Sequence, residues 1–213
     1  HFEAIKYIVS TGKPVEPNVP HHFAFRGADD VSYIISGFLA AKACKTLGVS
    51  HLILQNMLNT PKYTYGVQDL AKGRVMLKLV RSLEDSSFKV SLQTRAGLDY
   101  FATDLEEAKV QLAAVTCMMD DLEPGNDNSP EIIHVVNYCE AVQLATPSII
   151  KESIQITLSA LKEYRLARQQ GYVPNMEYDK EAQERFDNLY TECLEAIALL
   201  EKNIPNLYSP EGF

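Results

Sequence analysis

The chain has no tryptophan, no Cys-x-x-Cys pair and no long apolar run. Its four cysteines stand apart at positions 44, 117, 139 and 193. That spacing fits neither a thiolate metal site nor a redox pair, so packed free thiols in a reduced, cytoplasmic compartment are expected. No apolar stretch approaches the roughly 18 residues of a membrane span, and no membrane partner is expected. Basic residues are the minority, with 28 Asp and Glu against 20 Lys and Arg and a net charge of −8. This balance argues against nucleic acid or an anionic lipid surface as the partner. G-x-G-x-x-G, the Walker loop and the G-x-S-x-G elbow are all missing. The five histidines, at 1, 21, 22, 51 and 134, show no H-E-x-x-H and no ligand spacing, so no metal site is expected. The first residues lack a basic leader followed by an apolar block, and the opening on His1 rather than Met predicts a longer parent chain.

What is present is enough for a folded core. The 213 residues are 46% hydrophobic, which suits one domain with an appendage and excludes general disorder. Short β-rich runs alternate with long amphipathic ones. After a helix near Phe2–Val9 and a loop holding Pro14, Pro17 and Pro20, Phe23–Arg26 reads as the first strand. Asp29 and Asp30 offer a cap for a helix carrying Val31, Ile34, Ile35, Phe38 and Leu39, ended by Gly48. His51–Gln55 is the second strand, followed by a helix over Val67–Leu83. Phe88–Gln93 is the third, followed by a capping-box form at Thr103-Asp104-Leu105-Glu106 and the stripe Leu105, Ala108, Leu112, Val115, Met119. Ile132–Val136 reads as the fourth strand. Pro147 opens a helix to about Gln169, and Lys180–Asn203 forms a last helix with Phe186, Leu189, Tyr190, Cys193, Ile197 and Leu200 on one face.

Strands alternating with helices imply an α/β fold with a parallel sheet and right-handed crossovers. An open doubly wound sheet and part of a (β/α)8 barrel both fit, and a full barrel needs eight strands and about 250 residues. The expected organisation is an N-terminal helix and linker over 1–20, four βα units over 21–170, and a C-terminal helical extension over 171–213.

Both architectures place function at the C-terminal ends of the strands. The four expected ends are Arg26-Gly27, Gln55-Asn56, Gln93-Thr94-Arg95 and Asn137-Tyr138-Cys139-Glu140. Arginines suit a carboxylate or phosphate through a bidentate fork, amides suit neutral polar contacts, and Glu140 can accept from a hydroxyl. Loops beside a buried sheet are polar in any case, so it is the convergence of the four ends on one mouth that argues for a site. Tyr63 and Tyr65 on the long second loop read either as a cover for a ligand or as mobile surface. His21 and His22 read as surface or stability residues, His134 as a satisfied core histidine, Met57, Met118 and Met119 as core, and the glutamates of the last helix as a solvated face.

At the second and fourth loops the chain resembles the catalytic (epsilon) subunit of adenosylcobalamin-dependent glutamate mutase, also called methylaspartate mutase, and related cobalamin-dependent mutases. The likeness rests on Gly66-x-Gln68-Asp69-Leu70-Ala71-x-x-Arg74, preceded by Leu39-Ala40-Ala41 and Gly48-Val49, and on Val135-Val136-Asn137-Tyr138-Cys139-Glu140-Ala141. It spans roughly Pro20 to Leu161. The resemblance implies a TIM-type (β/α) barrel of which this chain is the C-terminal half. It also implies a cobalamin capping the C-terminal mouth and a radical carbon-skeleton rearrangement of an amino acid. Arg26 and Arg95 would bind substrate carboxylates, Asn56 and Gln93 would position the substrate, and Asn137, Tyr138 and Glu140 would lie against the cofactor, Glu140 by contact with the adenosyl ribose.

Two stretches depart from the family. A lysine that it places shortly before the glutamate is replaced by Val136-Asn137, and the loop after strand three reads Arg95-Ala96-Gly97-Leu98-Asp99-Tyr100. Glutamate itself is therefore not implied as substrate. The D-x-H-x-x-G cobalamin signature is absent, so the expected partners are a separate cobalamin-binding domain or subunit and the remaining barrel half. The competing readings are another barrel enzyme for an anionic substrate (a corrinoid methyltransferase, or an aminomutase that also uses pyridoxal phosphate) and a non-catalytic half-barrel assembly subunit.

Overall fold

Most helices of the chain begin at a residue with a physical reason to start them, and these starts fix the frame. The computed structural model describes residues 1–61 and 63–212. Helix α1 spans Phe2–Ser10, and α2, Val19–Ala24, carries Pro20 in its first turn, where a missing N–H costs nothing. Helix α3, Asp30–Thr46, is capped by Asp29, whose carboxylate accepts the Ser32 N–H at 2.8 Å. Helix α4, Val67–Arg81, follows Gly66 at φ 60°, ψ −134°, a conformation that only glycine adopts readily. Helix α5, Leu105–Asp120, is capped by Asp104, which accepts the Glu107 N–H at 2.9 Å. The cap therefore sits one residue after the expected Thr103. Thr146 caps α6, Pro147–Gln169, with Pro147 at its first position, and Asp179 caps α7, Lys180–Asn203.

The described residues hold a three-stranded parallel sheet: β1, His51–Leu58; β2, Lys89–Ala96; and β3, Ile132–Ile133, in the order β1-β2-β3. His51 pairs with Lys89 and Leu58 with Ala96, and Gln93 and Thr94 pair with Ile132 and Ile133. On the other side of β1, Val15 makes a single parallel bridge to Leu52, with the Val15 N–H on the His51 carbonyl at 3.0 Å and the Ile53 N–H on the Val15 carbonyl at 2.8 Å.

This corrects the expected four strands. Phe23–Arg26 is not a strand. It is the end of α2 and the turn after it, with the Phe25 N–H on the His21 carbonyl at 2.9 Å and the Arg26 N–H on the Phe23 carbonyl at 3.1 Å. Pro20 starts a helix there, and the proline-flanked Val15 takes the extended position beside β1 instead. The fourth expected strand, Ile132–Val136, shrinks to two residues. The His134 N–H still reaches the Thr94 carbonyl at 2.9 Å before the chain turns away to bury Val136, Tyr138 and Cys139. Strands β1 and β2 both run three residues further than expected, so Asn56, Thr94 and Arg95 lie within strands rather than beyond them. The result is an α/β fold with an open parallel sheet, and the described residues close no barrel.

Strands laid down in sequence order and joined by right-handed crossovers place their helices on one face. The burial pattern agrees. Leu52, Leu54, Leu58, Val90, Leu92 and Ala96 share one face and are buried in the core beneath α4 and α5. Gly73 lets α4 approach closely, for a Cβ there would lie 2.6 Å from Leu122 Cδ2 and 2.7 Å from Asn56 Nδ2. Helix α7 forms an outer layer over α4 and α3, burying Leu189, Cys193 and Ile197, while α6 packs on α5. The C-terminal extension is thus integrated with the sheet layer. The opposite sheet face carries Glu16, His51, Ile53, Gln55, Met57, Ser91, Gln93, Arg95 and His134, and of these Gln55, Met57 and Gln93 are buried.

Candidate functional site

Strand parity decides which side chains can meet a ligand. Residues 51, 53, 55 and 57 of β1 share a face with 89, 91, 93 and 95 of β2, because His51 pairs with Lys89 in the parallel register. Gln55 therefore stands beside Gln93, and Met57 beside Arg95. The β3 register continues this row to His134, which is exposed at the strand end. Arg95 is half-buried and donates from Nε to the Ala96 carbonyl at 3.3 Å. Burial lowers its pKa, and the nearby charges of Glu140 and Glu16 oppose that shift.

Two carboxylates frame this arginine. Glu16, next to the Val15 bridge, accepts from the Gln55 amide nitrogen. Glu140, exposed in the turn after β3, accepts both the Asn137 N–H and the Asn137 side-chain nitrogen at 3.2 Å through Oε1. His21 approaches from α2. It is only 5% exposed, and its pKa falls to about 4, first through burial and then through repulsion from Arg95, His22 and His134.

The loop after β1 is built by a buried network. Asn59 adopts φ 58° and the Thr60–Pro61 bond is cis. Asp69, wholly buried, accepts the Asn59 N–H and pairs with Lys72 at 2.6 Å, while Lys72 also donates to the Thr60 carbonyl at 2.8 Å. The Lys72 ammonium lies 4.9 Å from the centre of the Tyr33 ring, and the Tyr33 hydroxyl accepts the Met57 N–H at 3.0 Å. Burial raises the Asp69 pKa to about 6 against the pull of Lys72. Arg74 binds the Asp121 and Met176 carbonyls at 2.6 and 3.0 Å. Asp69 and Arg74 of the Gln68–Arg74 segment are thus scaffold: they hold the loop and the far end of α5. Tyr63 and Tyr65 project from this loop, 85% and 67% exposed. The loop after β2 touches it closely, since a Cβ on Gly97 would lie 1.7 Å from Thr60 Oγ1.

Of the residues singled out from the sequence, Gln93 and Arg95 lie on the sheet face opposite the core helices, Gln93 buried and Arg95 half-buried, and Asn137 and Glu140 follow β3 at its strand end. Asn56 is on the opposite face, wholly buried, with its side-chain nitrogen on the Gly73 carbonyl at 3.1 Å. Arg26 is exposed in the turn after α2, and its side chain has no hydrogen-bond or ion-pair partner among the described residues. Tyr138 is drawn to the helices, its hydroxyl on Glu152 at 2.5 Å and its ring 5.1 Å from the Lys109 ammonium. His134 is exposed rather than a core residue.

Glu16 joins these residues without having been singled out, Gln55 was named only as a strand end, and His21, read as a surface or stability residue, is buried. For Gln55 the signal is present, because Leu52 and Leu54 assign the even positions of β1 to the helices and leave 55 on the other side. For Glu16 and His21 no local signal exists. Among the described residues no group of His, Cys, Asp and Glu side chains is placed to hold a metal ion, and no helix is long and apolar enough to cross a membrane. No protein-family model and no curated protein sequence matches this chain.

Proposed function

We propose that this chain contributes half of a TIM-type (β/α) barrel to a cobalamin-dependent mutase that rearranges the carbon skeleton of an amino acid. The observation that carries the reading is the one-sided sheet. Parallel sheets are covered on both faces in stable proteins. Here one face is apolar and roofed by helices, while the other is mixed: Met57, Gln55 and Gln93 are buried on it, and Glu16, Arg95 and His134 continue a polar row toward the strand ends. A barrel interior is such a face, with its chemistry at the C-terminal strand ends, and the remaining barrel half would cover it.

Each residue has a defined part. Arg95 and Gln93 hold a substrate carboxylate, and Asn137 orients Glu140 toward the adenosyl group. Glu140 fits that role: Oε1 is engaged by Asn137, while Oε2 has no partner among the described residues and can accept a ribose hydroxyl. Adenosylcobalamin, when bound through a separate domain, supplies the radical by homolysis of its cobalt–carbon bond. The chain's own task is to orient the substrate and keep water out, and the close contact of the Thr60 and Gly97 loops closes one side of the mouth. Arg26 and Asn56 have no part in this reading. The unpaired thiols fit a reducing cytoplasmic compartment.

A barrel enzyme that joins pyridoxal phosphate to cobalamin is the second reading. It is favoured by the unpartnered amide nitrogen of Gln93 beside the half-buried Arg95, donors that suit a phosphate as well as a carboxylate. Optical spectra of the intact protein, assembled with its other barrel half and cobalamin domain, separate the two. A change on adding adenosylcobalamin alone supports the first, and an added requirement for pyridoxal phosphate supports the second. Glu140→Gln is expected to lower turnover in that assembly. Unchanged turnover, or no spectral response to adenosylcobalamin, overturns the mutase reading.

A further inference from the structure

The turn that carries Glu140 is tied to the helices through one side chain. Glu140 is exposed and Asn137 half-buried, while the two residues between them, Tyr138 and Cys139, are buried. The Glu140 N–H reaches the Asn137 carbonyl at 3.0 Å, and the Val142 and Gln143 N–H groups share the Cys139 carbonyl, each at 3.0 Å. These bonds close the turn but tie it to nothing else. The last backbone bond to β2 among the described residues is the His134 N–H on the Thr94 carbonyl, three residues before Asn137. Tyr138 supplies the tie. Its hydroxyl donates to Glu152 Oε2 on α6 at 2.5 Å, and Lys109 on α5 pairs with Glu152 Oε1 at 2.9 Å. The same ammonium pairs with Glu106 at 2.9 Å and lies 5.1 Å from the centre of the Tyr138 ring. A carboxylate thus fixes the hydroxyl and a cation faces the ring, each from a different helix.

We infer that Glu152 and Lys109 are positioning residues for Glu140, acting through Tyr138. The inference rests on the reading of Glu140 as a cofactor contact, but the hold on the turn can be measured without cobalamin. The resemblance puts Tyr138 itself against the cofactor; here it is the anchor instead, turned away into the groove between α5 and α6. Burial of Val136 and Cys139 gives the turn depth without direction, whereas the Tyr138 bond fixes an orientation. That orientation passes to Glu140 by the shortest route. Only Cys139 separates the two residues, and the Asn137 groups that engage Glu140 Oε1 belong to the residue on the other side of Tyr138. Lys109 acts one step further back, by holding the Glu152 carboxylate where the hydroxyl needs it.

Amide hydrogen exchange in the full chain, read residue by residue by NMR, tests this. Tyr138→Phe and Glu152→Ala are each expected to speed exchange at Glu140, Val142 and Gln143 about tenfold or more, with the amides of β1 and β2 unchanged. Glu152→Gln keeps an acceptor for the hydroxyl and is expected to retain most of the protection. Turn amides that exchange as in the unaltered chain in both variants overturn the inference, as does an equal rise across β1 and β2, which marks a general loss of stability. Tyr138→Phe keeps the ring and decides the matter if Glu152→Ala fails to fold. In the assembly with the other barrel half and the cobalamin domain, an optical titration with adenosylcobalamin reads the consequence. Glu152→Ala is expected to weaken the response several-fold, and to weaken it no further where Glu140→Gln is already present. Equal weakening in the two backgrounds shows that Glu152 does not act through Glu140 and overturns the inference. No response from the unaltered assembly overturns the mutase reading instead, and the exchange rates then decide the inference alone.

Discussion

The Lys72 ammonium sits 2.6 Å from the Asp69 carboxylate, and both side chains are excluded from solvent. Two buried charges of opposite sign are worth keeping only when their remaining valences are used, and here they are. Asp69 takes the Asn59 N–H and Lys72 reaches the Thr60 carbonyl and the face of Tyr33. The pair acts as a bolt between α4 and the loop that leaves β1. Removing one partner strands the other, at about 3–5 kcal/mol. Lys72→Met and Asp69→Ala should each lose that much in urea unfolding. A paired Asp69→Asn, Lys72→Met protein, which buries no charge, should recover most of the loss. Additive losses would show that the pair is not coupled.

Asn56 and Gln93 make opposite predictions although both are strand amides. Asn56 satisfies the Gly73 carbonyl across the helix–sheet interface, so Asn56→Leu should cost about 1–3 kcal/mol of stability. Gln93 buries an amide nitrogen with no partner. Gln93→Leu should therefore leave stability unchanged or raise it, while weakening phosphate or acetate binding. Urea midpoints measured beside a binding titration distinguish the two. A destabilised Gln93→Leu protein would mean that its amide is satisfied in solution.

Asp69 and His21 pull the pH dependence of stability in opposite directions over one window. The folded pKa of Asp69, about 6, lies above the ordinary value of about 3.9. Between these values the folded chain binds more protons, so the contribution of Asp69 falls as pH rises. His21 has a folded pKa of about 4 against an ordinary value of about 6.5. There the unfolded chain binds more protons, so its contribution rises with pH. Each is worth at most roughly 3 kcal/mol across the window, and the sum is nearly flat. His21→Gln should unmask a decline in stability from pH 4 to 6, and Asp69→Asn a rise. Unfolding midpoints across that range would show both slopes, and identical pH profiles for the three proteins would refute the assignment.

Apart from α2, the helices were legible because their signals are local. Pro147 at the start of α6 and the stripe from Phe186 to Leu200 on α7 each lie in a single stretch of chain. The sheet was less so. Phe23–Arg26 is apolar enough for a strand, yet Pro20 three residues earlier had already begun a helix, and the true neighbour of β1 is Val15 in a run of prolines. The site shows the same division. Gln93, Arg95, Asn137 and Glu140 follow from the rule that chemistry gathers at strand ends, whereas choosing Gln55 over Asn56 requires knowing which face the helices cover. His21 comes from the separate short helix α2, which packs on α3, and no periodicity encodes its burial. The stretch Gln68–Arg74 proves to hold structure around Asp69 and Arg74 rather than to join the residues of the opposite sheet face.

Gly97 tests whether the loops after β1 and β2 work as one rim. It lies two residues beyond Arg95, where a Cβ would meet Thr60 Oγ1 at 1.7 Å and the Asn59 carbonyl oxygen at 3.1 Å. The Thr60 hydroxyl can rotate away, but the Asn59 backbone is held by the buried Asp69. Gly97→Ala must therefore push the second loop outward, at about 1–3 kcal/mol for an overpacked contact. Arg95 stands in β2 two residues before that loop, so anion affinity should fall along with stability. Gly125 is the matched control: its nearest neighbour would be Glu177 Oε2 at 3.8 Å, and Gly125→Ala should stay within about 0.5 kcal/mol. Thermal unfolding and a phosphate titration on both variants separate the outcomes. A Gly97→Ala protein that loses stability but binds phosphate normally would show that the rim and Arg95 are mechanically independent.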